Sequence, residues 1–288
     1  MSSELALYAS ILETVEHGDA VAVATVTKAS GSVPRGVGSK MLVWRDGSIA
    51  GTVGGGTMEE RVIQEAQAAI VDGRPRYREY LFSSDAENSV GLCGGQAEVF
   101  IEVVRPRQRL LLVGAGHIAL ALAKIAALNG FSINVVDDRA EFVTEQRFPG
   151  ADELIHVRYN PESELLDPMP VQIDAATHVV VATWGWDEPA LAQVLGSPAP
   201  YIGLVSSRRK FKLIADKLRE RGCSDEEINR IHAPIGLDIG AQTPEEIAVA
   251  IMGEIIMQRR GGDGSPIYQR WKPKARQSSH APATQPTA

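Results

Sequence analysis

Short apolar runs bounded by glycine, proline or charge recur along this chain, and stretches with the three-to-four spacing of amphipathic helices separate them. Over residues 1–104 this pattern predicts an opening helix in SSELALYASILETVE, a strand at Val21 to Lys28 and a strand pair around the Asp46-Gly47 turn. A helix from Met58 to Val71 and strands near Tyr77 to Phe82 and Ala97 to Val104 follow. Together they make a small α+β domain. Residues 105–109 read as a linker, because proline at 106 stops a ladder and the flanking arginines favour solvent. Over 110–262 strands are expected at Leu110 to Val113, Phe131 to Val136, Glu153 to Val157, His178 to Thr183 and Tyr201 to Val205, alternating with helical segments. That alternation predicts a doubly wound, Rossmann-like parallel sheet, so the chain as a whole is an α/β protein. Two capping boxes, at Ser224 to Glu227 and Thr243 to Glu246, mark later helix starts. The tail, 263–288, is rich in Gly, Pro, Ser and Gln and is expected to be disordered.

The segment RLLLVGAGHIALALAKIAALNGFSINVVDDR carries the strongest motif. A buried-strand run leads into Gly114-Ala-Gly116-His117-Ile-Ala119, the G-x-G-x-x-A spacing of a dinucleotide turn. Gly114 permits the turn, Gly116 lets a pyrophosphate approach the backbone, and Ala119 lets the next helix sit close to the sheet. The helix is expected to end at Asn129-Gly130. Asp137 then closes the second strand about 20 residues on, where a carboxylate accepts from a ribose diol and disfavours a 2′-phosphate; this points to NAD over NADP. Asp138, Arg139 and His117 complete the candidate nucleotide set.

Three further glycine-rich elements stand out. In GSVPRGVGSK, glycines and a proline shape a loop that presents Arg35, and both a solvated hairpin and an anion site are open readings. Gly54-Gly55-Gly56 runs into the helix start TMEE, so bare backbone lies next to helix N–H groups and Glu59. Gly91-Leu-Cys93-Gly94-Gly95-Gln96 places a thiol in an open loop, from which it could meet sulfur or a soft metal; a structural thiol is the alternative. Ser206-Ser207-Arg208-Arg209 puts cations in a helix's first turn, against the macrodipole, which suits either an anion site or a solvated basic turn.

Composition narrows the classes. At 288 residues and 44% apolar the chain can bury two cores, and a net charge of −7 argues against a general nucleic-acid partner. No apolar run reaches the ~18 residues of a membrane helix, and the N-terminus lacks the basic n-region of a leader, so a cytoplasmic protein is expected. The two cysteines, Cys93 and Cys223, exclude an all-thiolate zinc site, and Cys223 is read as structural. No H-x-x-x-H or triad ordering is present.

Taken in order, GSVPRGVGSKMLVWRDGSIAGTVGGGTMEE, GLCGGQAEVFIE, the dinucleotide segment, YIGLVSSRRK and APIGLDIGAQTPEEIAVAIMGEII resemble the XdhC/CoxI family over roughly residues 5–260. The resemblance implies an accessory protein, not an enzyme, that binds the molybdopterin cofactor of molybdenum hydroxylases such as xanthine dehydrogenase. It implies protection of the sulfurated form and insertion into the apoenzyme. Arg35, Gly54, Gly55, Gly56, Glu59, Cys93, Gly94 and Gly95 would then hold the molybdenum cofactor, with Cys93 near the metal. A cysteine desulfurase and a second copy of the chain are further expected partners. The chain departs from the family pattern at Thr57, where one branch has Cys, at Thr183-Trp184-Gly185-Trp186-Asp187, and at Ser206 in place of glycine. Two other functions stay in play: an NAD-dependent oxidoreductase, and a scaffold whose Rossmann half senses a nucleotide.

Overall fold

The computed structural model describes residues 3–82, 90 and 94–270. Helix α1 (Ser3–Glu16) leads into β1 (Val21–Ser30), β2 (Lys40–Val43), β3 (Ile49–Gly51), helix α2 (Gly56–Asp72), β4 (Arg76–Leu81) and β5 (Gln96–Val104). The strands form one antiparallel sheet in the order β3-β2-β1-β5-β4. Strand β1 is central because both of its faces are apolar: Ala22, Ala24 and Val26 pack under α2, while Val21 and Val23 pack on the α1 side with Leu7 and Ile11. Helix α2 buries Met58, Val62, Ala66 and Ala69, one stripe at helical spacing, and ends on the left-handed Gly73.

Four residues, 105–108, separate β5 from the second sheet, and Arg109 already belongs to its first strand. That half comprises β6 (Arg109–Val113), α3 (His117–Leu128), β7 (Ser132–Asp137), β8 (Glu153–His156), β9 (Tyr159–Asn160), β10 (Leu165–Leu166) and β11 (Thr177–Val181). It continues through α4 (Asp187–Val194), β12 (Tyr201–Leu204), α5 (Arg208–Glu220), α6 (Asp225–Asn229), β13 (Ile231–His232), α7 (Pro244–Arg260) and α8 (Ile267–Arg270). Six parallel strands run in the order β13-β12-β11-β6-β7-β8, the doubly wound Rossmann arrangement, with the crossover reversal between β6 and β11. Leu110 and Leu112 of β6 face α3 and α7, whereas Leu111 and Val113 face α4 and α5, so the strand is apolar on both sides. Both capping boxes form as the spacing requires, on Ser224 and on Thr243.

The regular alternation expected of this half breaks twice. Between β7 and β8 there is a 3-10 turn at Ala140–Phe142 instead of a helix, and between β8 and β11 lies the small β9-β10 hairpin. The intervening sequence carries Pro149-Gly150, and its Phe142 ring lies between two arginines, Arg139 at 3.7 Å and Arg147 at 4.4 Å from the ring centre. Cation–π contacts of this kind hold a loop without helical hydrogen bonds. Strand β13, two residues long, carries no periodicity that a sequence window can detect.

Candidate functional site

The glycine motifs of the N-terminal sheet meet at one end of it. Gly54, Gly55 and Gly56 take φ values of 147°, 76° and 60°, three consecutive residues in a region that L side chains avoid. A Cβ on Gly54 would stand 3.0 Å from Pro34, and one on Gly95 would stand 2.2 Å from the Ser32 carbonyl oxygen. The 31–36 loop therefore sits between the 54–56 run and the 94–95 turn, and bare backbone is what lets the three approach. Over Gly55, Gly56 and Gly94 no atom of the described residues lies within 4 Å of an added Cβ. Arg35 follows Pro34 directly; it is exposed and makes no hydrogen bond or ion pair within the described residues. Glu59 turns back from the first turn of α2 onto this loop. One of its oxygens accepts from the Thr52 hydroxyl and from the amides of Val53 (3.3 Å) and Gly55 (3.2 Å). Glu59, expected to face a ligand, is thus the clamp of its own glycine loop. Cys93, with Gly91 and Leu92, lies outside the described residues, as does the tail from 271.

In the Rossmann half the turn is held from both sides. A Cβ on Gly114 would stand 2.3 Å from the Ala182 carbonyl oxygen, so glycine is needed where the ends of β6 and β11 converge. Gly116 caps α3 with open space above it, Ala119 is fully buried against the sheet, and His117 is exposed at the helix start. Asp137, expected to meet a ribose, lies beneath the turn in this structure. Its carboxylate is buried, accepts from the Ala115 amide at 2.6 Å, and pairs in two-pronged fashion with Arg139 at 2.8 Å on each oxygen. Burial works to raise its pKa, but Arg139 and the amides outweigh burial and hold it below the usual carboxylate range. Arg147 takes the other side of the same residue, donating to the Ala115 carbonyl at 3.1 Å. The acid left facing outward is Asp138. Burial and the neighbouring Asp137 charge raise its pKa, and the Trp186 indole donates to it at 3.1 Å.

The loop after β11 is also anchored. Asp187, buried, accepts from the Thr183 amide (3.2 Å) and hydroxyl (2.8 Å) and pairs with Lys210. That pairing gives the basic first turn of α5 an internal anion for Lys210, while Ser207 caps the helix by accepting from the Lys210 amide. Arg208 and Arg209 remain exposed and without an ion pair within the described residues; the Ser206 hydroxyl oxygen is buried without a partner there. Trp184 is 89% exposed, while Trp186 is buried. Cys223 packs against the core under α4 and α5, where burial raises its thiol pKa.

Composition patterns missed the residues that brace these turns. Tyr159 in β9 and Lys210 in the first turn of α5 take partners, Gly185 and Asp187, at least 23 residues away in the chain, while Phe142 and Arg147 meet within a loop that has no periodicity. A second polar cluster was equally invisible: Glu254 of α7 accepts from the Tyr201 hydroxyl (2.7 Å) and the Gly236 amide (2.6 Å), and its other oxygen lies 2.8 Å from His232 Nδ1. Among the described residues no three His, Cys, Asp or Glu side chains come together as a metal site, and no helix is long and apolar enough to cross a membrane.

Known proteins resemble this chain across both of its halves. The chain is 38% identical over 258 residues to the uncharacterized protein YqeB of Escherichia coli (strain K12), covering 89% of this chain and 47% of that protein. It is 37% identical over 165 residues to a probable xanthine dehydrogenase subunit of Bacillus subtilis (strain 168), covering 56% and 46% respectively. It thus spans about half the length of these two relatives. With the molybdenum cofactor insertion chaperone PaoD of Escherichia coli (strain K12) it shares 25% identity over 274 residues, 86% of either chain. Residues 14–81 match the model of the XdhC and CoxI family, and residues 110–255, which hold the braced turn and both flanking layers of helices, match that of the XdhC Rossmann domain. The chain belongs to the XdhC and CoxI family.

Proposed function

We propose that this chain binds the molybdenum cofactor on the glycine loops of its N-terminal sheet, shields the sulfurated form, and inserts it into the apoenzyme of a molybdenum hydroxylase of the xanthine dehydrogenase class. The observation that carries the reading is the meeting of the 31–36, 54–56 and 94–95 loops around open backbone, with Arg35 unpaired beside them. Molybdopterin ends in a phosphate. An exposed guanidinium and the free N–H groups at the start of a 17-residue helix suit that anion, and backbone without side chains lets a flat ring system approach. Glu59 already takes the Val53 and Gly55 amides, so the groups left for a phosphate are those from Gly56 onward. Cys93 immediately precedes Gly94 in the chain, and a thiolate there would suit the metal or its terminal sulfur. A cysteine desulfurase is the chemical source of that sulfur, and a homodimer is the proposed working form. PaoD, by its name, performs cofactor insertion, and that relative supports the reading.

The test is reconstitution. Protein loaded with cofactor should activate a cofactor-free molybdenum hydroxylase beyond the level that free cofactor gives, and equal activation would remove the delivery role. Cys93→Ser should lower transfer of active cofactor, with Cys223→Ser as the control.

A second reading concerns the Rossmann half alone: its braced turn and helix start suit a nucleotide diphosphate, NAD included. With NAD and a panel of hydroxy and amino substrates no turnover is expected; sustained reduction would favour an oxidoreductase.

A further inference from the structure

The β9-β10 hairpin stands where a doubly wound fold would carry a crossover helix, and it leaves a cavity of about 580 Å³ against the end of β7. Asp138, Arg158, Tyr159, Asn160, Leu165 and Asp167 line it. It is open to solvent on its outer side, so a ligand there would rest against the β7 and β9 wall. One wall is held by ring and hydrogen-bond contacts. The Tyr159 ring stacks on the buried Trp186, with centroids 6.4 Å apart and planes 30° apart, and its hydroxyl donates to the Gly185 carbonyl at 3.4 Å. Trp186 in turn donates to Asp138 Oδ1, and it is the only side chain among the described residues that hydrogen-bonds this carboxylate. Arg158 is exposed and has no ion pair within the described residues.

A nucleotide at a doubly wound sheet puts its phosphates on the first turn and its ribose on an acid at the end of the second strand. Two acids stand at that end. Asp137 is sealed beneath the turn by Arg139 and the Ala115 amide, whereas Asp138 faces the cavity.

We propose that this cavity is the nucleoside subsite for a ribonucleoside 5′-diphosphate whose phosphates rest at Gly114 to His117. Asp138 accepts from the ribose hydroxyls through the oxygen that Trp186 leaves free. The Tyr159 ring, backed by Trp186, lies against the base, and Arg158 and Asn160 offer donors to its edge. The proposal rests on the nucleotide reading of the Rossmann turn and is independent of the cofactor cradle in the N-terminal sheet.

Calorimetric titration of the full chain with ADP, GDP and CDP tests it. At least one of the three should bind. Asp138→Ala and Tyr159→Leu should each weaken that binding roughly tenfold or more, while Tyr159→Phe, which keeps the ring, should stay within about twofold. A 2′-phosphorylated analogue of the binding nucleotide should bind more weakly than its parent, because Asp138 repels it. Asp138→Asn, with its near-identical shape, gives a second reading if the alanine variant has a lowered melting temperature. Failure of all three nucleotides to bind, or unchanged affinity in Asp138→Asn or Tyr159→Leu, overturns the subsite. Arg35→Ala separates the two readings: it should lose cofactor retention and keep nucleotide binding. Loss of nucleotide binding in that variant would merge the two sites and overturn the assignment.

Discussion

Two glycine-rich turns in this molecule solve the same problem in opposite ways. At 54–56 a carboxylate from the following helix, Glu59, holds the loop amides, half exposed and without an ion pair among the described residues. At 114–116 a carboxylate from the next strand, Asp137, holds the Ala115 amide while buried and neutralised by Arg139; Arg147 grips the carbonyl of the same residue. The first turn keeps its cation, Arg35, for something else. The second uses its cations on itself. Under the proposed function the contrast has a physical reason: free charge and open backbone suit a bulky cargo, whereas rigidity at a crevice edge lowers the ordering cost of a ligand.

The two turns should differ most at Asp137. Its replacement by alanine leaves the buried Ala115 amide without its acceptor and takes the close partner from Arg139; because Arg139 is 37% exposed, the cost falls at the lower end of the buried-pair range, about 3 kcal/mol. Urea denaturation should show a loss of that size, above the loss at Glu59. Because the Asp137 pKa is lowered in the fold, its contribution is present above the ordinary carboxylate pKa and is lost as pH falls through the folded-state value.

Acid should also separate the two halves. His178 lies buried in the Rossmann sheet against Phe131 and Tyr201, and burial, helped by the Arg259 charge, lowers its pKa from 6.5 to about 4. The unfolded chain takes up a proton on this side chain below pH 6.5 and the folded chain does not. Stability is therefore full above 6.5 and falls as pH drops toward about 4, by about 3 kcal/mol in the limit. His178→Phe should flatten that slope in denaturation curves measured across this window. Hydrogen exchange should place the acid-induced weakening in β6, β11 and β12 and not in β1 and β5; equal weakening of both sheets would contradict the assignment.

Glu59→Gln probes the looser clamp. An amide oxygen still accepts, but without charge, so the expected loss is about 1–2 kcal/mol, together with faster exchange of the Gly55 amide. The smallest effect on stability belongs to Arg35→Ala. An exposed side chain without a partner should change the unfolding free energy by no more than about 0.5 kcal/mol, yet cofactor retention should fall. A substantial destabilisation in this variant would show that the cation serves the fold and not a cargo.

The strands and helices were largely readable because they depend on local rhythm. The both-face apolar run Leu110 to Val113 and the two capping boxes led directly to a doubly wound sheet with the right helix starts. The departures differ in cause: the 3-10 turn at Ala140–Phe142 is held by the nearby Arg139 and Arg147, which form no helical or strand rhythm, whereas the β9-β10 hairpin is set by Gly185 and Trp186, which no window around it includes.

Consecutive residues were enough to place the two sheets, the Gly114 turn and the glycine loops at 31–36 and 54–56, because periodicity and bare backbone are local properties. The sequence also named every acid at the end of β7. Which acid is sealed and which faces out could be decided only by the tertiary structure. The choice depends on whether Arg139 and the Ala115 amide reach Asp137 and on whether Trp186 reaches Asp138, contacts made across 22 and 48 residues of chain in the longer cases. The same holds for Glu59, a first-turn carboxylate in sequence and a loop clamp in space. Electrostatic roles follow from burial and from partners, and both are properties of the packed chain.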